Sequence, residues 1–267
     1  MSKYSHSSEH EKYLSDIRQQ NIKITITRIS ILIGFLLLWE IAAQLRWIDP
    51  FITSQPTKIL KTLGNLLVGG ALFKHLFTTV LETVIGFTAS TFLGTIIAII
   101  LWWSPFLSKV ADPYLVVLNS LPKVALGPII LVWVGAGPTA IIVMAVFISL
   151  IVTIIGVYSG LKDVDEAKIT LVKSFGGSKR QILTKVILPS SFPTIADALK
   201  INVGLSWVGV IMGEFLVSKA GLGYLIVYGS QVFQLDIVMT SVLILSIAAG
   251  VMYQAIAYLE KKFIPYK

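Results

Sequence analysis

Few residues in this sequence are suited to covalent or metal chemistry. The chain contains no cysteine, which excludes disulfides, thiolate zinc sites and cysteine nucleophiles. Its three histidines, His6, His10 and His75, lack the spacing that is typical of metal ligands. No Walker-type glycine-lysine loop for binding phosphate is present. We therefore expect no catalytic residue and no metal site, and the remaining polar residues must bind or position something.

The composition predicts an integral membrane protein. Of the 267 residues, 55% are apolar and 13% are charged, whereas soluble domains carry about 25% charged residues. The net charge of +8 fits the excess of Lys and Arg on cytoplasmic segments of membrane proteins better than it fits nucleic-acid binding. We expect an all-α protein that is in contact with the lipid bilayer and does not bind nucleic acid.

Polar residues inside the apolar runs are the first candidates for function. A lysine at membrane depth costs a few kcal/mol, so Lys123 should face a partner, a cavity or water. The neighbouring Pro122 and Pro128 break backbone hydrogen bonding, which is tolerated only beside protein or a cavity. With Asn119, these residues predict a translocation pathway in which Lys123 favours an anionic solute. Alternatively, Lys123 lies at the cytoplasmic interface and its long side chain reaches water.

Glu214 is a separate candidate at the outer end of a later apolar run. It is either part of an external gate of the pathway or reaches the lipid headgroups.

Apolar runs of about 20 residues, the length that crosses a bilayer, predict about six transmembrane helices in one domain. The runs are 29–45, 84–103, 124–161, 195–217 and 237–259. The third is long enough for two helices, which separate at the sequence Gly-Ala-Gly-Pro, 135–138. We therefore divide the chain into an N-terminal arm, 1–28, and a transmembrane domain, 29–267.

The distribution of positive charge predicts that both termini are cytoplasmic. With the N-terminus inside, fifteen Lys and Arg residues fall on inner segments and five on outer ones. The five outer residues are Arg46, Lys58, Lys61, Lys74 and Lys219. The longest internal polar interval, 162–190, is then a cytoplasmic insert.

This insert has the features of two helices joined at a fixed angle. The acidic start at 163–166 is typical of a helix N-terminus, and Gly176-Gly177 is a natural helix end and joint. Ser178 and Gln181 form the pattern of a capping box, and Pro189 is expected to end the second helix. We call residues 166–189 the elbow. The alternative is a loop that only links two spans.

The elbow resembles the cytoplasmic loop of binding-protein-dependent ABC importer permeases. The signature of that family runs EAA, three residues, G, nine residues and I-x-L-P. Gly176 is followed after nine residues by Val186-Ile187-Leu188-Pro189, whereas Thr170-Leu171-Val172 occupy the positions of EAA. The second half of the signature is therefore kept and the glutamate is replaced.

Other stretches resemble the nitrate, aliphatic sulfonate and taurine permeases within this family. Residues 121–128 and 132–137 are similar to the third span of those permeases, and residues 213–215 and 220–224 are similar to the end of their fifth span and its G-L-G turn. The resemblance covers about residues 30–260. It implies the type I (MetI-like) ABC importer permease fold, with a cytoplasmic coupling helix.

The resemblance also implies the function and the partners. The chain would be a transport subunit, without catalysis of its own, for a small anionic solute; a vitamin precursor such as a thiamine precursor or riboflavin is the alternative. Its partners would be a second copy, two cytoplasmic ATPase subunits that hold ATP and Mg, and an external solute-binding protein in a bacterial plasma membrane. The residues implied to couple it to the ATPase are Lys173, Phe175, Gly176, Gly177, Ser178, Lys179, Arg180 and Pro189.

Two other classes of membrane protein remain less favoured. A secondary transporter is typically built from internal repeats, and the two halves of this chain show none. A membrane enzyme would need clustered His, Asp or Glu, and acidic residues are sparse.

Overall fold

The structure is a computed structural model that describes residues 8–263, with side chains for 12–262. This part of the chain consists of helices joined by short turns, without a strand. It forms two compact units, one that extends to Thr62 and one that begins at Leu63.

The first unit is dominated by one long helix, α1 (Ser8–Gln44), followed by α2 (Pro50–Thr53) and the start of α3 (Pro56–Val68). Glu40, near the end of α1, accepts hydrogen bonds from the backbone N–H and the hydroxyl of Thr57, at 3.1 and 2.9 Å. Thr57 lies in the first turn of α3, where backbone N–H groups lack helical partners and favour a negative charge. The one acidic residue of the first apolar run thus binds the start of α3. The division of the chain at residue 28 stays a prediction.

The second unit contains most of the helices. They are α4 (Ala71–Trp103), α5 (Pro105–Ser120), α6 (Gly127–Val134), α7 (Pro138–Lys162), α8 (Glu166–Ser174), α9 (Lys179–Ile182), α10 (Leu188–Val217), α11 (Leu222–Gln231) and α12 (Leu235–Phe263). A 3₁₀ turn, Lys123–Leu126, precedes α6, and a π turn, Leu183–Ile187, precedes α10.

The predicted number of spans is confirmed, with one change in form. Five segments of the described chain are long and apolar enough to cross a membrane, and a sixth candidate is a bent pair. That pair is 105–120 with 123–134, and its two parts differ in direction by 86°. The predicted separation at 135–138 is confirmed, because α6 ends at Val134 and α7 begins at Pro138. The third span is therefore broken at its proline-rich start.

Helix α7 packs against both α4 and α10 at glycines. A Cβ atom on Gly86 of α4 would lie 2.8 Å from the Cβ of Ala145, and one on Gly213 of α10 would lie 2.9 Å from the Cα of Ile141. A Cβ on Gly209 would overlap the backbone of Ala145 itself. Small residues allow membrane helices to approach closely, because lipid gives no hydrophobic drive for them to associate. The core of this unit therefore depends on glycine positions.

We expect Gly209→Ala to lower the thermal stability of the protein in detergent, because the added methyl group separates α7 from α10. Gly204→Ala, on the same helix, is the matched control, since nothing lies within 4 Å of a Cβ at that position. Alanine is favoured over glycine in a helix by about 1 kcal/mol, so the control should melt at the same temperature or higher. Tryptophan fluorescence during heating measures both. Equal melting temperatures for the two variants would contradict this packing.

Candidate functional site

The first helix of the elbow begins and ends as the sequence predicts. The side chain of Asp165 caps α8 by accepting the backbone N–H of Ala167 at 2.8 Å. At the other end, Gly176 donates to the carbonyl of Lys173, and Gly177 donates to the carbonyl of Val172, each at 2.9 Å. These two bonds form a Schellman motif, which satisfies carbonyls that the helix end leaves free.

Both glycines of the joint are required by this geometry. Gly176 has φ of +76°, in the left-handed region that residues with a Cβ rarely adopt. A Cβ on Gly177 would lie 2.5 Å from Cγ1 and 2.7 Å from the carbonyl oxygen of Val172. The chain therefore turns at a fixed angle between α8 and α9.

The predicted capping box at the start of α9 is confirmed. The backbone N–H of Ser178 donates to Oε1 of Gln181 at 2.7 Å, and the backbone N–H of Gln181 donates to Oγ of Ser178 at 3.4 Å. The elbow is thus a helix, a glycine joint and a capped second helix.

One face of the second helix is buried against the bundle. Ile182, Leu183 and Ile187 are at most 8% exposed and pack in one apolar cluster with Val157 and Leu161 of α7. The same cluster includes residues of α4. The elbow is therefore attached by this apolar face to the ends of two spans.

Lys179 also attaches the elbow to the bundle, which the sequence analysis missed. Its amine donates to the carbonyl oxygen of Trp103 at 2.5 Å and lies over the rings of Trp102 and Trp103, at 5.8 and 5.2 Å from their centroids. Trp103 is the last residue of α4, where a cation stabilises the negative end of the helix. Cation–π contact adds to this attraction. Helical periodicity could not find this contact, because it contains no information on contacts between distant segments.

The prediction that Pro189 ends the second helix is wrong. The π turn, Leu183–Ile187, leads directly into α10, and Pro189 lies in the first turn of that helix. A first-turn position has no intrahelical partner for the missing N–H, so proline is tolerated there. The π turn before Pro189 is wider than an α-helical turn, and through it the chain continues from the elbow into α10. Residues 179–217 form one continuous candidate span.

The opposite side of the elbow is exposed, and among residues 63–262 its side chains contact no partner. Phe175 is 82% exposed, and Leu171, on the turn before it, is 58% exposed. Lys173 and Arg180 are also exposed. An aromatic side chain on a rigid segment, flanked by cations, is suited to bind an apolar pocket with an acidic rim.

The broken third span contains the four predicted pathway residues that lie close in sequence. Asn119, Pro122 and Pro128 are exposed, and Lys123 is half-buried. The amine of Lys123 donates to the carbonyl oxygen of Asn119 at 2.9 Å. It therefore satisfies one of the carbonyls left free where α5 ends. Their role in a pathway stays a prediction.

The structure separates Glu214 from the elbow. Because α10 has 30 residues, it is about 45 Å long, and Glu214 lies near the end that is far from the elbow. Its side chain is 1% exposed. It accepts hydrogen bonds from the hydroxyl of Thr79, at 2.6 Å, and from the backbone N–H of Gly223, at 2.5 Å. In this structure the side chain of Glu214 binds residues of two other segments, α4 and the start of α11.

Three neighbours of Glu214 on α4 were missed in the sequence. Glu82 is 4% exposed, and His75 and Thr79 are also buried. They recur at positions 75, 79 and 82, which is the spacing of one helix face. This polar stripe inside an otherwise apolar helix is the signal that could have found them. Each residue alone is unremarkable near the end of a long helix.

Comparison with known proteins identifies the family. Residues 90–264 match the model of the family described as binding-protein-dependent transport system inner membrane component. A probable ABC transporter permease protein of Haemophilus influenzae is 31% identical, over 91% of this chain and 99% of that protein. The taurine transport system permease protein of Escherichia coli is 24% identical over 86% of each chain. The formylaminopyrimidine transport permease protein of Halalkalibacterium halodurans is 28% identical, over 87% of this chain and 92% of its own.

A solved structure confirms the predicted fold. The MetNI methionine ABC transporter in an inward-facing conformation matches with a TM-score of 0.60 and 21% identity, over 71% of this chain and 96% of that one. The similarity in fold agrees with the family that the sequence comparison gives. The chain therefore belongs to the binding-protein-dependent transport system inner membrane components, and it is a permease subunit of an ABC importer that works with a separate ATPase and a binding protein.

Proposed function

We propose that this permease pairs with a second copy of itself to import a small organic anion, and that the elbow receives the movement of the ATPase. The observation that supports this role of the elbow is the exposed side chain of Phe175, on a segment that is packed against α4 and α7. ATP and Mg are held by the ATPase partners in this proposal. A rigid connection matters, because ATP-driven closure must displace the spans as bodies.

The charge distribution supports an orientation with both termini in the cytoplasm. The elbow, 166–189, carries Lys168, Lys173, Lys179, Arg180 and Lys185 against one acidic residue, Glu166. Basic residues close to the ends of spans are retained on the cytoplasmic side. The elbow then faces the ATPase, and the turn between α10 and α11 faces the binding protein.

The anionic solute is supported by Lys123 at the break of the third span and by the similarity to a taurine permease. The alternative is a vitamin precursor, which the similarity to a formylaminopyrimidine permease supports. Mass spectrometry of the solute held by the purified partner binding protein distinguishes the two. An organic anion agrees with the proposal, and a neutral pyrimidine or a flavin would replace it with the alternative.

We expect Phe175→Ala to weaken binding of the ATPase to the membrane subunit roughly thirtyfold, the effect of losing an aromatic anchor worth about 2 kcal/mol. The fold should be unaffected, because the side chain is largely exposed. Binding of the purified ATPase to the subunit in nanodiscs gives the affinity. The matched control is Phe73→Ala, an exposed phenylalanine near the opposite end of α4. Unchanged affinity for Phe175→Ala would remove the elbow as the docking site.

A variant of Lys179 distinguishes docking of the ATPase from transmission of its movement to the spans. We expect Lys179→Met to leave ATPase binding nearly unchanged but to lower the solute transported per ATP hydrolysed, because the elbow loses its bond to α4. Transport and ATP hydrolysis are measured in the same proteoliposomes. Lys185→Met, at an exposed lysine further along the elbow, is the control. If both variants transport the same amount of solute per ATP as the unmodified protein, the bond of Lys179 has no part in coupling.

The charge of Lys123 can be tested apart from its capping bond. Glutamine can still donate a hydrogen bond toward the carbonyl of Asn119 but has no charge, whereas arginine retains both properties. We expect Lys123→Gln to reduce uptake of an anionic solute about tenfold and Lys123→Arg to reduce it little. Uptake by Lys123→Gln at the unmodified rate would exclude Lys123 from the pathway.

A further inference from the structure

Two buried glutamates lie at the end of the bundle where α10 turns into α11. Glu82 on α4 is 4% exposed, and Glu214 on α10 is 1% exposed. Glu82 lies one turn along α4 from Thr79, whose hydroxyl binds Glu214 at 2.6 Å, so the two carboxyl groups are neighbours. Two ionised carboxylates side by side cannot stabilise each other, because both are acceptors only and their charges repel. In a site that excludes water, one of the two must therefore hold a proton, which also reduces two buried charges to one.

The surrounding donors show which glutamate is ionised. Glu214 accepts from the hydroxyl of Thr79 and from the backbone N–H of Gly223. An anion that accepts several hydrogen bonds is stabilised even when it is buried. Glu82, by contrast, has a buried Oε2 without any donor. An ionised group in that position would be costly, whereas a protonated carboxyl can give its hydrogen to Glu214.

The same cluster holds the turn between α10 and α11 by its backbone. The N–H of Gly221 donates to Nδ1 of His75 at 3.0 Å, and the N–H of Leu222 donates to the hydroxyl of Thr79 at 2.7 Å. With the bond from Gly223 to Glu214, three consecutive N–H groups are bound by side chains of two different spans. A Cβ on Gly221 or Gly223 would collide with the carboxyl group of Glu214. The turn thus fits tightly over this one carboxyl group.

The other titratable groups around the pair do not supply a compensating cation. His75 accepts a hydrogen bond at Nδ1, which assigns it the neutral tautomer with the proton on Nε2. Tyr224 of α11 stacks on His75, with ring centroids 5.7 Å apart. Lys74 and Lys219, the nearest lysines in sequence to this cluster, are both exposed. Protonation of Glu82 therefore leaves the pair of glutamates with a single negative charge.

We propose that Glu82 and Glu214 form a one-proton clamp, in which protonated Glu82 donates to ionised Glu214 and Glu214 anchors the turn at Gly221–Tyr224. Glu214 is a positioning residue, since it acts through the turn. The clamp fastens α4 to the start of α11 at one end of the bundle, independently of the elbow at the other. Loss of the proton would place two negative charges together and release the turn.

Infrared spectroscopy of the full chain in nanodiscs tests where the proton lies, through the C=O stretching band of a protonated carboxyl. We expect Glu82→Gln to remove this band, because the amide takes over the donated hydrogen bond and the proton-bearing group is gone. Glu214→Gln should leave the band in place. The proposal is overturned if Glu214→Gln alone removes the band, if each variant removes a separate band, or if neither variant changes the spectrum.

Hydrogen exchange of the amides at 221–224 tests the anchor. Glu214→Gln should speed their exchange roughly tenfold or more, because the charged acceptor is lost, whereas Glu82→Gln should change it little. Thr79→Val and Thr79→Ser form a second pair that does not alter either glutamate. Valine should speed exchange at Leu222 and serine should restore it. Equal protection of the turn in the unmodified protein, Glu214→Gln and Thr79→Val would overturn the anchor.

Discussion

The absence of water from the hydrocarbon core constrains this structure more than any other factor. A break in the backbone inside the bundle is tolerated only where the protein or a cavity satisfies the freed N–H and C=O groups. The breaks in this chain follow that rule: Lys123 binds the carbonyl of Asn119 where α5 ends, and Lys179 binds the carbonyl of Trp103 where α4 ends. At the far end of α10, Glu214 and Thr79 bind the N–H groups of the turn that opens α11. At these three places a side chain binds the backbone groups that a helix end leaves free.

Helix α7 has a complementary role, because it brings the spans together mainly by close packing at glycines. Glycines of α4 and α10 allow the backbone of α7 to approach closely, and the resulting van der Waals contact replaces the hydrophobic drive that lipid cannot supply. The apolar cluster around Val157 and Leu161 then continues from α7 into the elbow. A movement imposed on the elbow would therefore act on α4 and α7, and through the continuous chain of 179–217 on α10. This arrangement suits a subunit that transmits force and performs no chemistry.

Local structure was predictable wherever a short sequence pattern fixes it. The acidic cap of α8, the Gly176-Gly177 joint, the capping box at Ser178 and the separation at 135–138 depend on residues within about five positions of each other. The prediction at Pro189 was wrong because local rules treat proline as a helix end, whereas the preceding π turn made its position the first turn of α10. The broken third span followed from its prolines, but the bend of 86° did not.

The sequence by itself determined the membrane class, the family and the elbow, because hydropathy, charge distribution and turn residues are properties of neighbouring positions. Only the tertiary structure showed that Lys179 belongs to the end of α4 and that Glu214 meets Glu82. These pairs join residues that are 76 and 132 positions apart (179 − 103 and 214 − 82). No local pattern specifies which distant group a buried charge will find. Packing of α4 against α10, and of the elbow against the end of α4, makes that choice, because the fold decides which groups come within reach of each other.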